Sequence, residues 1–471
     1  MKRLSLFMIL GSIFFLQIIS PALAQQPLTG EWEGFIDVQG TELVIITQFF
    51  PKANKIKGTI DIPQQGGQNI PLQNISITEA DSVMFEFMAG MGMAMFKGAV
   101  EGDTTISGTF HQSGQQFPFQ LTKVRKTSSK TPKDASLPYD EKELLIKNDS
   151  ISIGGMLTLP KNQSTDKLVI IISGSGAQNR DGKIPVTDFE PYATLAGSLS
   201  TNGIAAFRYD DRGVGQSTGS FSNATLSTLA SDVEAIINHF RNNTSQSHSF
   251  SEIILLGHSQ GGIVAGKVAT RYAEIDKIIL MASTGVPLQE VLRFQMRKQF
   301  ERIGIDRALI EKELNARGRL AEAIVRDKDT DRLKEEYREV FRTVQLAAGA
   351  DSATASQLTE QQLNRFPRIF GNPQMRSLFF YDPAKDLEKI NVPVLVLFGG
   401  KDTQVTVEMN KPPIEKALKS AGVSYQTKVF DNANHLFQKA KTGSSREYGD
   451  LKSTFVDDLI PSITDRIIND R

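Results

Sequence analysis

The alternation of apolar and polar positions divides this chain into two textures. In the first, Trp32-Glu33-Gly34-Phe35-Ile36-Asp37-Val38 alternates with a period of two, and short apolar runs follow at 43–50, 56–62, 83–87, 96–100, 106–110 and 117–121. Turn-forming stretches such as Gln65-Gly66-Gly67 and Glu101-Gly102-Asp103 separate them. Many short strands at this spacing predict a small all-β barrel or sandwich over residues 25–124. A stretch rich in Lys, Ser, Thr and Pro then marks a linker at 125–139.

The second texture fills 140–471. Two short strands near 143–147 and 151–159 lead into runs that read as buried on both faces: 168–172, 204–207, 253–256, 277–281 and 394–398. Helical stretches such as 191–199 and 229–240 lie between most of them. Apolar strands alternating with helices predict an α/β domain, a mostly parallel sheet with helices on both faces. Groups that do chemistry on such sheets gather at the carboxyl ends of the strands. Between Met281 and Val394 an insertion at about 286–375 far exceeds the usual αβ connection of ~2–6 residues. There Tyr337, Val340, Phe341 and Val344 fall at i, i+3, i+4 and i+7, and Leu288, Val291 and Leu292 form a similar stripe. These stripes read as packing surfaces of a helical lid, and its arginines (Arg293, Arg297, Arg302, Arg307), matched by Glu and Asp, as a solvated face.

One short motif carries chemistry. Gly257-His258-Ser259-Gln260-Gly261 directly follows the apolar run 253–256 and opens a stretch whose Ile263, Val264, Val268 and Ala269 suit a buried helix. A serine between glycines on a tight strand-to-helix turn is a candidate nucleophile, because the turn lifts its oxygen clear of the sheet. A second copy of the pattern, Gly215-Gln216-Ser217-Thr218-Gly219, follows polar residues and glycines and reads as a surface loop. Ser259 is the candidate and Ser217 the decoy.

A serine hydroxyl needs a base, and the base an orienting acid. Of five histidines, His111 lies in the β domain, His239 in a helix and His248 in a polar loop. His258 adjoins the nucleophile and is expected to point away from it. His435, just after the strand at 425–430, remains as the base. The acid is Asp402 in Phe398-Gly399-Gly400-Lys401-Asp402, ahead of Asp431, which is close to the base in sequence, and Asp386, which precedes its strand. The order Ser259, Asp402, His435 is the one expected of one hydrolase class. Backbone donors for an oxyanion are expected at Gln260, opening the helix, and at Ser175 in Ser173-Gly174-Ser175-Gly176.

Composition narrows the picture in a few places. The chain has 471 residues, with 53 Lys plus Arg against 53 Asp plus Glu, so charge gives no reason to expect nucleic acid as a partner. Lys2-Arg3, an apolar stretch at 4–19 and Ala22-Leu23-Ala24 predict a signal peptide over 1–24 and an exported, periplasmic or extracellular protein with no membrane span after cleavage. There is no cysteine, hence no disulfide and no thiolate metal site. Met88, Met91, Met93 and Met95 cluster among glycines; thioethers are soft ligands for Cu(I), but such residues more often fill apolar gaps. No cofactor and no catalytic metal are expected.

Gly-His-Ser-Gln-Gly-Gly at 257–262, the Gly-Gly-Lys-Asp turn and the Asn434-His435 pair resemble the α/β-hydrolase family. Arg208-Tyr209-Asp210-Asp211-Arg212-Gly213-Val214-Gly215-Gln216-Ser217 is similar to a loop of bacterial members in the lipase/esterase and serine aminopeptidase-like branch. The likeness covers about 141–471 and implies an α/β-hydrolase fold preceded by an accessory β domain. Many members have His-Gly where this chain has Ser173-Gly174. The expected activity is a secreted carboxylesterase acting on small-molecule esters through an acyl-enzyme. The alternatives are an aminopeptidase or amidase, and a binding protein on a hydrolase scaffold.

Overall fold

The computed structural model describes residues 28–469 apart from 39–40, 53–54, 63–66, 79–81, 90–91, 103, 113–114, 125–136, 162, 185–186, 188 and 243–249. The leader expected at 1–24 and most of the 125–139 linker lie outside the described residues. The chain divides into two compact units, one on either side of the Thr127–Ser128 junction.

The N-terminal unit is a closed barrel of eight antiparallel strands: β1 (Gly30–Val38), β2 (Thr41–Lys52), β3 (Lys55–Ile62), β4 (Gly67–Ile77), β5 (Ser82–Ala89), β6 (Gly92–Glu101), β7 (Thr105–Gln112) and β8 (Gln115–Lys123). Pairing of β1 with β8 closes it, which leaves no free sheet edge. The inward positions are large. Trp32, Phe49, Phe85 and Phe96 are fully buried, with Phe85 stacked on Phe96 at 4.6 Å and Phe119 edge-on to Phe96 at 4.9 Å. Among the described residues the interior is thus filled by side chains. Strand β4 has no counterpart among the apolar runs read from the sequence, and the backbone explains why. Asn74 takes a positive φ of 48°, and the register with β5 shifts between Gln73 and Ser76. Ile70 and Leu72 therefore pack inward before the bulge, and Ile75 and Ile77 after it, so the apolar positions change parity and the alternation breaks.

The C-terminal unit is built on one eight-stranded sheet in the order β16-β15-β14-β13-β11-β12-β10-β9. The hairpin β9 (Tyr139–Asn148) and β10 (Ile151–Pro160) is antiparallel, and β10 pairs antiparallel with β12 (Ala205–Tyr209). From β12 through β11 (Lys167–Ile172), β13 (Glu252–His258), β14 (Lys277–Met281), β15 (Val394–Gly399) and β16 (Tyr425–Phe430) the pairing is parallel. Alternate residues feed two cores. Leu168, Ile170, Leu255 and Val396 pack on the side of α2 (Leu226–Asn242), α3 (Gln260–Ala269) and α10 (Val407–Ala421). Val169, Ile171, Ile254 and Leu397 pack on the side of α1 (Pro191–Thr201) and α11 (Leu459–Ile468). The α/β-hydrolase fold expected from the sequence, preceded by a β domain, is the fold observed.

Two features of this topology place the site. After β11 the chain runs outward to β12 and then returns to the other side of β11 as β13, so the loops leaving β11 and β13 diverge between neighbouring strands. Such a switch point opens a crevice at the carboxyl ends of the strands. Between β14 and β15 lie α4 (Leu288–Arg302), α5 (Arg307–Val325), α6 (Asp331–Ala347), α7 (Ser352–Phe370) and the short α8 (Pro373–Leu378) and α9 (Ala384–Leu387). These helices bury a core of their own, including Leu320, Tyr337, Phe341 and Phe366, as the stripe on α6 predicts. Gln295 on α4 donates to the carbonyl of Gln404 at 3.0 Å, which ties the insertion to the loop after β15.

Because Phe85 touches Phe49, Phe96 and Phe119 at once, Phe85→Ala is expected to cost the barrel about 3–5 kcal/mol in denaturant unfolding. A loss below about 1 kcal/mol would mean that the interior is not packed as described.

Candidate active site

Ser259 stands between the end of β13 and the first turn of α3 with φ 54° and ψ −118°. For a non-glycine residue this conformation costs on the order of 1–3 kcal/mol, so its surroundings must enforce it. Its N–H donates to Met281 O at 2.8 Å, and its carbonyl accepts from Gly262 N–H at 3.0 Å. The flanking glycines make room for the turn. A Cβ on Gly257 would lie 2.3 Å from Gly261 O, and one on Gly261 would lie 2.3 Å from Ile172 O. One on Gly262 would lie 2.2 Å from Ser283 Oγ. Strand, turn and helix can pack only if all three lack side chains.

The loop after β11 passes beside this turn: a Cβ on Gly174 would stand 3.4 Å from Ser259 Cβ. Its backbone is held from three sides. Gly174 N–H donates to Tyr192 Oη at 3.0 Å, Ser173 Oγ donates to Asp211 Oδ1 at 3.0 Å, and Gln178 N–H donates to Asp211 Oδ2 at 2.8 Å. Ser175, the predicted donor, is exposed, and its carbonyl accepts from Gln178 Nε2 at 3.0 Å. Gln260 is the first residue of α3, where backbone N–H groups have no partner within the helix.

On the other side of the crevice His435 Nδ1 lies 2.7 Å from Asp402 Oδ2, and both residues are buried. Asp402 Oδ1 accepts from the backbone N–H groups of Gln404 at 2.7 Å and Val405 at 2.9 Å. The carboxylate is thereby fixed with one oxygen toward the imidazole. In the neutral ring that bond puts the proton on Nδ1 and leaves Nε2 as the basic nitrogen. Gly399 and Gly400 allow the acid and base loops to touch, since a Cβ on either would fall 2.5 Å from Asn434 O or 2.7 Å from Asp431 Cα. Asp431 is exposed, and Asp386 accepts from Tyr381 Oη, so neither competes with Asp402 for the imidazole.

The remaining histidines sort as follows. His111 lies on β7 and His239 on α2, while His248 lies outside the described residues. His258 belongs to the site in a way the sequence does not announce. Its Nδ1 is 3.1 Å from Tyr192 Oη and its Nε2 is 2.9 Å from His435 O. Burial, with His435 alongside, pushes His258 down to about 3, so the ring is neutral at ordinary pH. An apolar cavity lined in part by Leu195, Leu256, Met281 and Leu436 adjoins it. Burial also pushes the Tyr192 phenol up, keeping it a hydroxyl.

The decoy Ser217 departs from its expected setting. Rather than facing solvent on a surface loop, it is buried, donating to Asp210 O at 2.7 Å and accepting from Gly154 N–H at 2.9 Å. Both its hydrogen-bonding roles are occupied, which removes it as a nucleophile. The loop folds inward because the Asp210 carboxylate pairs with the buried Arg180 at 2.6 Å and also accepts from Gln216 N–H at 3.0 Å. Among the described residues no group of three or more His, Cys, Asp and Glu is placed to hold a metal ion, and no helix is long and apolar enough to cross a membrane. In the methionine cluster, Met91 and the Met88 side chain lie outside the described residues, and Met93 is exposed.

Comparison with known proteins matches residues 187–370 to the family described as serine aminopeptidase, S33, and residues 354–453 to the dienelactone hydrolase family. The chain is 24% identical over 319 residues to the esterase EstD of Thermotoga maritima, covering 68% of this chain and 65% of that protein's length. Among solved structures, an esterase of Pyrococcus furiosus aligns at 16% identity and a TM-score of 0.40, over 64% of this chain and 84% of that one. An esterase of Exiguobacterium antarcticum aligns at 16% and 0.37, over 70% and 98%.

Asp211 yields a pH prediction. Burial pushes its carboxyl from the ordinary 3.8 up to about 7, against the opposing bonds from Gln178 and Ser173. A carboxyl raised on folding holds its proton more tightly in the folded state. Its contribution to stability is therefore complete below about pH 4 and lost as pH rises through about 7. Asp211→Asn, which keeps an acceptor for Gln178 N–H, is expected to gain on the parent by on the order of a few kcal/mol across that window. Equal melting-temperature differences between the two proteins at pH 4 and pH 8 would contradict this.

Proposed function

We propose that this chain, in which an N-terminal β barrel precedes a unit with the α/β-hydrolase fold, is a serine hydrolase of carboxylic esters, with Ser259, His435 and Asp402 as its catalytic triad. The observation that carries this reading is a strained Ser259 turn at the end of β13, together with an imidazole, His435, whose Nδ1 is held 2.7 Å from a buried carboxylate and whose loop is bonded to His258 beside that turn. Ser259 Oγ attacks the ester carbonyl as His435 Nε2 takes its proton. The C–O bond to the alcohol breaks as that proton passes to the leaving oxygen. Water, deprotonated by the same nitrogen, then releases the acid from Ser259. Backbone N–H groups of Gln260 and Ser175 stabilise the oxyanion in both steps; each such donor is typically worth about 10²–10³ in turnover.

The match to a serine aminopeptidase family makes amide substrates the second reading. An aminopeptidase must hold its substrate's ammonium group against a carboxylate. Among the described residues the buried carboxylates are Asp210, Asp211, Asp232, Glu313 and Asp402. Four are paired, with Arg180, Arg212, Arg317 and His435, and Asp211 is bonded to the loop after β11. None of these five is free to receive an amine. We also propose export, on the strength of Lys2-Arg3, the apolar stretch at 4–19 and Ala22-Leu23-Ala24.

Hydrolysis of p-nitrophenyl acyl esters, with no release from aminoacyl p-nitroanilides, is the expected outcome. Ser259→Ala should abolish both turnover and fluorophosphonate labelling. Asp402→Asn should lower kcat by about 10⁴, the size expected when the imidazole loses its orienting carboxylate. Labelling that survives in Ser259→Ala would overturn the assignment. For export, the mature protein recovered from its native host should begin at Gln25; a chain that retains Met1 would refute cleavage.

A further inference from the structure

Tyr192 and His258 lie between the two loops that the proposed reaction needs in register, and every bond in their chain has a determined direction. The carbonyl of His435 can only accept, so His258 Nε2 carries the proton and donates to it at 2.9 Å. The ring is neutral, so Nδ1 has a lone pair and accepts from Tyr192 Oη–H at 3.1 Å. Having donated, Tyr192 Oη accepts from Gly174 N–H at 3.0 Å. The sequence of donors runs from Gly174 through Tyr192 and His258 to His435, with no rotor left undecided. Tyr192 and His258 are both buried, in a setting where an unmet polar atom is costly.

We propose that Tyr192 and His258 form a strut that sets the oxyanion loop at Gly174–Ser175 against the base loop at His435, so that both are positioning residues of the reaction. The geometry supports this beyond simple satisfaction of buried groups. His258 is the residue before the candidate nucleophile, and its ring crosses to the loop bearing the base, with ring centroids 4.8 Å apart. Tyr192 holds Gly174 N–H and so anchors the Ser173–Gly174 peptide, the unit directly before the one that carries the predicted oxyanion donor Ser175 N–H. Loss of the phenolic oxygen leaves Gly174 N–H without its acceptor and His258 Nδ1 without its donor, which breaks the strut at its middle.

This inference rests on the serine hydrolase reading, and the experiment separates the two. In Tyr192→Phe, kcat toward a p-nitrophenyl ester is expected to fall about 10–100-fold with KM within about twofold, because a misplaced oxyanion loop costs the transition state and not the bound ester. In His258→Gln, an amide N–H can replace the imidazole donor to His435 O, so this variant should keep at least about tenfold more activity than His258→Leu. Nitrogen NMR of the folded parent should show His258 protonated on Nε2 alone and unchanged from pH 5 to 8. Parental kcat in Tyr192→Phe, equal activity in the two His258 variants, or an Nδ1-protonated parent ring would each overturn the strut. An ester activity that survives Ser259→Ala would instead overturn the reaction on which it rests.

Discussion

The backbone of Ser259, held at φ 54° and ψ −118°, is the constraint on which the rest of the C-terminal unit depends. A serine does not remain there unaided, and the enforcement comes from packing in three directions. Its N–H extends the β13–β14 ladder to Met281, Gly261 lies against the backbone of β11, and Gly262 lies against Ser283. The closeness of those contacts fixes where α3 begins, and so where its unpartnered amides point. Strain in the turn and close packing of glycine backbone are thus one arrangement, since relaxing either would lower the serine into the sheet.

Around that turn the polar groups are buried rather than solvated, which makes their hydrogen bonding obligatory. The loop after β11 is anchored by Asp211 and Tyr192, the acid by backbone N–H groups of Gln404 and Val405, and the base loop by His258. The Asp210–Arg180 pair closes the neighbouring loop and uses up Ser217 in doing so. Low dielectric strengthens each of these bonds and also displaces Asp211 and His258 far from their ordinary protonation behaviour. A site assembled this way holds its polar groups in one arrangement, so the reaction proposed above would need little reorganisation.

The helical insertion follows the same logic away from the site. Glu313, fully buried on α5, is paired with Arg317 one turn along and accepts from Tyr337 Oη. The Arg317 guanidinium lies over the rings of Tyr337, Phe341 and Phe366. A charge pair removed from water costs more than it returns unless its geometry is closely set, so this cluster specifies how α5, α6 and α7 pack. Among its described residues the barrel buries no charged side chain: its aromatic interior fills the space and closure removes the edges.

By itself the sequence determined what depends on residues near one another in the chain. Period-two alternation at 32–38 and six short apolar runs marked seven of the eight barrel strands, buried runs marked the parallel sheet, and a stripe on α6 marked a packed helix. The glycines around Ser259 and those before Asp402 singled out two loops, because a missing side chain is a local fact with a local consequence. Strand β4 escaped because a bulge at Asn74 reverses its parity, and a periodic reading requires an unbroken period. Only the tertiary structure decided that Ser217 is buried, that Asp402 rather than Asp431 meets His435, and that His258 and Tyr192 belong to the site at all. Those outcomes turn on hydrogen bonds between positions 63, 33, 66 and 177 residues apart. Nothing in a local pattern records such a distance, since it is fixed by strand order and by which loops the sheet brings to one edge.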